Sequence, residues 1–212
     1  MPSRHHRSRP PSPACALAAC LALPTALADT RAYVDERTGL DAWRGTDDGF
    51  SAAFVQRLPD QTRAFFLARG FSRRAADAIA GQCLFQTILG NAGHTGPVDV
   101  DLSEWRWHTP DGRSGRLLLK EDWLRRLEAM GEPQSARIAF KWAFYPTRQR
   151  FMPDDWNMGM TSYPLAPGSR LDIEAVWRDA EGRAHRFRIE GLRCAPDVSL
   201  ETLRSRNAGE KP

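Results

Sequence analysis

"ARIAFKWAFY", Ala136–Tyr145, is the stretch on which the fold class turns. Ile138, Phe140, Trp142 and Phe144 alternate with Ala139, Lys141 and Ala143. Side chains along a strand point to opposite faces in turn, so this pattern predicts a strand with one heavily buried face.

The segments around it share that grammar. "CLFQTIL", Cys83–Leu89, is β-branched and aromatic and runs into the loop "GNAGHTG". "VDVDLSEWRWH", Val98–His108, alternates apolar with polar residues, and "TPDGRSG" then connects to a returning strand at "RLLL". "LDIEAVWRD" and "AHRFRIEGLRC" flank the short turn "AEGR" and predict a terminal β-hairpin. Helical signals lie mostly upstream. "FSAAFVQRL" and "DQTRAFFLARG" carry Phe54, Leu58, Phe65 and Phe66 at helical spacings, with Gly70 as a C-cap. "FSRRAADAIAGQ" predicts a second helix with Ser72 as its N-cap, where a side-chain oxygen takes an orphan backbone N–H. "KEDWLRRLEAMG" is the one later helix, with acids in its first turn and Gly131 past its end.

The fold class expected is therefore α+β: N-terminal helices followed by a mostly antiparallel β-sandwich-like domain of six or seven strands. The expected organisation is a signal peptide over 1–28, an irregular lead-in over 29–49, one globular domain over 50–200 and a polar tail over 201–212. Within the domain, helices occupy 50–81 and the β-rich part 83–195.

The leader reading rests on three parts. "MPSRHHRSRP" is basic, Ala14–Leu23 is apolar, and "ALA", Ala26–Ala28, offers small residues for cleavage before Asp29. The apolar run is too short to cross a bilayer, which takes roughly 20 residues. The alternative is "LAAC", Leu17–Cys20, which looks like a lipoprotein signal with Cys20 as the lipidated residue. Either way the chain is expected to be periplasmic or secreted, without a transmembrane helix. The whole chain has 30 Lys+Arg against 26 Asp+Glu; Arg4, Arg7 and Arg9 leave with the leader, so 27 face 26. A nucleic-acid partner, which needs a basic excess on the folded domain, is not expected. Cys15 and Cys20 also lie in the leader, which leaves Cys83 and Cys194. Two thiols in an oxidising compartment are most simply one disulfide.

The chemical signal is "FMPDDWNMGMTSY", Phe151–Tyr163, expected as a methionine-rich loop. It holds Met152, Met158 and Met160, and Met158 and Met160 are separated by one residue. In an extended segment both thioethers project to one side, and soft thioethers suit Cu(I). The arrangement is similar to the Trp-plus-Met-x-Met sites of small periplasmic copper chaperones, on Trp156, Met158 and Met160 alone. That resemblance implies a Cu(I) cofactor. Those sites also use a histidine; here His94, His108 and His185 all lie outside the segment. The competing reading is that these methionines fill irregular gaps in a core. The acids Asp99, Asp101, Glu104, Asp154 and Asp155 lack the loop pattern of a calcium site. The sequence carries no G-x-S-x-G, H-E-x-x-H or phosphate-cradling glycine loop, so turnover is not expected.

Two functions follow. The first is an exported, disulfide-stabilised binding or accessory protein of the envelope that holds Cu(I) through Met152, Met158 and Met160. The second is a metal-free interaction module for a protein, peptide or carbohydrate, using an aromatic strand face of Trp105 and Trp107, with Trp156 nearby.

Overall fold

Ala136–Tyr145 does not form a strand. In the computed structural model of the chain, which describes residues 26–27 and 30–209, Gln134–Ala143 is a helix. Ala136, Phe140 and Phe144 are buried, whereas Ile138 and Trp142 are exposed. A step of four residues satisfies both a strand face and a helix face, so Phe140 and Phe144 fit either period. Only Ile138 and Trp142 separate the two, and they point to water.

The chain opens with strands β1 (Ala26–Leu27), β2 (Arg31–Asp35), β3 (Leu40–Asp47) and β4 (Phe50–Gln56). Helices α1 (Pro59–Leu67) and α2 (Arg73–Ala80) follow, then β5 (Cys83–Asn91), β6 (Val98–Asp101), a 3₁₀ turn (Leu102–Glu104), β7 (Arg106–His108) and β8 (Ser114–Gly115). Next come α3 (Lys120–Ala129), α4 (Gln134–Ala143), β9 (Arg148–Phe151), β10 (Trp156–Tyr163), β11 (Arg170–Arg178), β12 (Ala184–Arg193) and α5 (Leu200–Gly209).

The helices are thus not N-terminal; four are inserted as two pairs between strands, and α5 follows β12. The described strands number more than the six or seven expected, and all but β1 pair antiparallel. The expected lead-in, 29–49, contains β2 and β3. "FSAAFVQ", expected as helix, is β4, because Asp48 and Gly49 turn β3 back on it with φ of 41° and 81°. Both positive φ values belong to the tight Asp-Gly hairpin loop that matches strand twist. Residues 201–209, expected in a polar tail, are helical, and α5 places Leu203 beside Leu200 against Leu40, Ala42, Val55 and Leu58.

The strands form two packed sheets. The first runs β1-β12-β11-β6-β9, with β7 paired to β11 and β8 to β7; the second runs β10-β5-β4-β3-β2. Between them lie Phe50, Phe54, Phe85, Trp105, Trp107, Phe151, Tyr163, Trp177, Phe187 and Ile189. The outer face of the second sheet meets the helical layer, where Leu84 and Met160 pack with Phe66, Phe71, Ile79, Trp123, Leu127, Phe140 and Phe144. The expected disulfide is present: Cys83 and Cys194 are joined, with Cα atoms 5.1 Å apart. It links the start of β5 in one sheet to the residue after β12 in the other, closing a loop of 111 residues. Such a cross-link removes about 4–5 kcal/mol of unfolded-state entropy in the chain-entropy account.

Candidate functional site

β10 shows what becomes of the methionine-rich segment. It is a strand from Trp156 onward, antiparallel to β5, with Met158 opposite Ile88 and Met160 opposite Gln86. Alternation places Trp156, Met158 and Met160 on the outer face of the second sheet, as an extended segment requires. Their surroundings diverge along the strand. Met160 is 3 % exposed and belongs to the helical-layer core, whereas Met158 is 47 % and Trp156 63 % exposed.

The strand's free edge explains the difference. Its second half is covered, because Tyr145 N–H donates to the Met160 carbonyl at 2.9 Å and Leu118 N–H donates to the Ser162 carbonyl at 2.9 Å. Gly159 permits this approach: a Cβ there would lie 2.7 Å from the Tyr145 nitrogen. At the first half the Met158 N–H donates to the Asn157 side-chain oxygen at 2.8 Å, and Asn157 Nδ2 donates to Gln149 Oε1 at 2.6 Å. The turn before β10 is local structure: Asp154 sits at φ 65°, and Asp155 Oδ2 accepts the Met152 N–H at 2.9 Å. Met152 is exposed beside it.

α4 adds two residues that alternation had assigned to a buried strand face. Trp142 is 84 % and Ile138 50 % exposed, four residues apart on one side of the helix. The residue that follows α4, Phe144, is bridged in parallel to Met160 of β10. Trp142 and Met158 each stand two residues before that bridged pair, so both Cα atoms lie within about 7 Å of it. Lys120 Nζ donates to the Lys141 carbonyl at 3.3 Å, and burial lowers the pKa of this ammonium.

The histidines make their contacts elsewhere. His185 stacks on Trp177 with ring centroids 3.9 Å apart, and its Nε2 lies 3.1 Å from Asp179 Oδ2. His94 meets the same Trp177 at 5.3 Å, with Nδ1 3.4 Å from Asp48. His108 Nε2 lies 3.8 Å from Glu174 on the outer face of the first sheet. Burial opposes ionisation of Asp179, but hydrogen bonds from His185 and Arg183 outweigh it and hold its carboxyl well below the usual range. Among the described residues no group of three or more His, Cys, Asp or Glu side chains is placed to hold a metal.

The aromatic strand face is corrected. Trp105 is fully buried and donates its indole N–H to the Val176 carbonyl at 2.9 Å. Trp107 is buried too, and donates to the Arg116 carbonyl at 3.0 Å. Both serve the sandwich core with their one polar atom satisfied. Of the three tryptophans expected at a surface, Trp156 alone is there.

The acids around Asp99 pair with arginines. Arg150 holds Asp99 through two hydrogen bonds at 2.8 and 2.6 Å, Arg148 donates to Asp101 at 2.6 Å, and Arg178 grips Glu104 at 2.7 and 2.8 Å. They line a shallow groove of about 380 Å³ on the first sheet, with Val176 and Trp177 at its floor. Comparison with known proteins finds no matching family model, no similar curated protein and no similar solved structure.

Proposed function

We propose that this is an exported accessory protein of the cell envelope that holds a partner protein on the surface formed by Trp156, Met158 and Met152 with Ile138 and Trp142 of α4. One observation carries the reading. Of the seven large hydrophobic side chains exposed among the described residues, five fall within 138–158, and two are tryptophans. Large apolar side chains clustered on an otherwise charged protein mark an interaction surface, and tryptophan supplies a disproportionate share of binding energy. Four of these side chains stand on a helix and a strand edge and Met152 stands beside the turn before that strand, outside the grooves described above, which suits a broad protein surface better than a small ligand. The test is native separation of envelope extracts. Wild-type protein should migrate in a larger complex, and Trp142→Ser with Trp156→Ser should migrate at monomer mass while keeping its melting temperature. Equal migration of the two proteins would defeat the proposal.

A second reading keeps the Cu(I) site, favoured by the common face of Trp156, Met158 and Met160 on β10. Met158 and Met152 are the thioethers that solvent reaches, and Met160 would have to bind from within the helical-layer core. Cu(I) should then raise the melting temperature of the wild type, and Met158→Leu with Met160→Leu should abolish the rise. Absence of any shift in the wild type ends this reading.

A further inference from the structure

The β2 end of the second sheet gathers arginines that have no carboxylate to hold. β2 and β3 pair Arg31 with Arg44, Tyr33 with Ala42 and Asp35 with Leu40. Residues directly opposite each other on neighbouring strands project to one face. Leu40, Ala42 and Tyr33 pack with Leu200 and Leu203 of α5, so that face is the outer one. Arg31 and Arg44 are therefore like charges set directly across from each other, a pairing that destabilises a sheet. Arg57 lies one residue past β4. The register that sets Ala42 opposite Val55 continues to Leu40 opposite Arg57, and the Arg57 N–H donates to the Leu84 carbonyl at 3.2 Å. The turn that joins β2 to β3 closes the same end and carries Arg37.

Among the described residues Arg31, Arg37, Arg44 and Arg57 form no ion pair, whereas Arg178, Arg186 and Arg188 on the first sheet each hold a carboxylate. Arg57 is the sharpest case. The Nε atoms of Arg57, Arg137 and Arg188 are buried without a hydrogen-bond partner. Arg137 reaches Glu128 and Arg188 reaches Asp172 through other nitrogens, but Arg57 reaches no acid. Burial lowers the pKa of its guanidinium, and the Arg37 guanidinium lowers it further. A half-buried cation with another cation as its neighbour costs free energy until an anion joins it. The acids of the turn do not supply one: Asp35 Oδ1 accepts the Thr38 N–H at 2.9 Å and the Thr38 hydroxyl at 2.7 Å, and Glu36 is exposed.

Arg31, Arg37 and Arg44 line one groove of about 520 Å³ with Tyr33 in its wall, a volume suited to a small molecule. We propose that this groove binds a small multivalent oxyanion, gripped by Arg31, Arg37 and Arg44, with Arg57 adding its charge at the Arg37 end. Guanidinium forks match the oxygens of phosphate and carboxylate groups alike, so the shared chemistry is two or more such oxygens on one ligand. The site goes beyond the partner surface and uses none of its residues.

The test is thermal melting of the full chain at constant ionic strength in chloride, pyrophosphate or citrate. Pyrophosphate or citrate should raise the wild-type melting temperature with saturation, by about 3–6 °C at ten times the dissociation constant. A larger rise with pyrophosphate assigns a phosphate-bearing ligand, and a larger rise with citrate assigns a polycarboxylate. Arg31→Gln with Arg44→Gln should melt no lower than wild type in chloride and lose the rise. Arg57→Met should also melt no lower than wild type in chloride, because it removes an uncompensated charge, and its rise should be smaller. Equal rises in the wild type and the double variant would show only the general stabilisation that excluded anions give, and would overturn the site. So would the absence of a rise in the wild type with either anion.

Discussion

The two sheets present opposite kinds of surface to water. On the first sheet Asp99–Arg150, Asp101–Arg148, Glu104–Arg178, Glu174–Arg186 and Asp172–Arg188 tile the outer face as neighbouring ion pairs. In each of these five pairs a guanidinium meets a carboxylate, and Arg106 of β7 is satisfied by the Ser103 and Trp105 carbonyls. The second sheet is roofed by helices, and where the roof stops at Trp156 and Met158 the surface is apolar. Among the described residues no helix is long and apolar enough to cross a membrane, so this patch is not part of a helical span. A charged face needs no partner to be stable, whereas an exposed tryptophan on a rigid element gains free energy when covered. That contrast is what the proposed partner surface rests on.

The contrast can be broken or sharpened by substitution. The largest effects should come from beneath the roof. Phe140→Ala removes a fully buried ring stacked on Phe144 at 4.0 Å, and should cost about 3–5 kcal/mol in chemical denaturation. Cys83→Ser with Cys194→Ser should cost about 2–5 kcal/mol, measured the same way, because the bond ties one sheet to the other. On the exposed side of the same helix, Trp142→Ala should change stability by no more than about 0.5 kcal/mol. A larger loss at Trp142 would mean that this residue packs within the protein, and the two sides of α4 would no longer differ.

The smallest effects belong to the charged face. Arg150 lowers the pKa of Asp99 by hydrogen bonding to its carboxylate, against a lesser penalty from burial. A carboxyl depressed in the folded state stabilises at pH above its unfolded value, and that contribution fades as pH falls through the folded value. Asp99→Asn should therefore cost at most about 1 kcal/mol near neutral pH, screened by solvent and salt, and the difference from wild type should vanish in strong acid. A difference that grows on acidification would refute the pairing.

Much of this architecture is written in local patterns. The β11–β12 hairpin, β5, α2 with its Ser72 cap, α3 and the disulfide partners all carry strong short-range signals. The helix α4 was obscured because "RIAFKWAF" satisfies both periods at Phe140 and Phe144. Its exposed Trp142 and Ile138 violate the premise that alternating large side chains are buried. The proposed surface starts from that violation, so its helix half was hidden by the same residues that would form it. β2 and β3 were obscured by their polar composition and β4 by the helical spacing of Phe54 and Leu58, although Asp48-Gly49 was a hairpin signal in plain view. Trp105 and Trp107 could not be assigned to a surface or a core until the second sheet was in place above them.

The most direct measurement places a photoactivatable crosslinking residue at one position at a time in the exported protein. Positions 142 and 156 sample the apolar surface, and positions 150 and 186 sample the charged face. Crosslinks to one partner at 142 and 156, with none at 150 and 186, are the result predicted. Crosslinks at 150 and 186 with none at 142 and 156 would contradict the account.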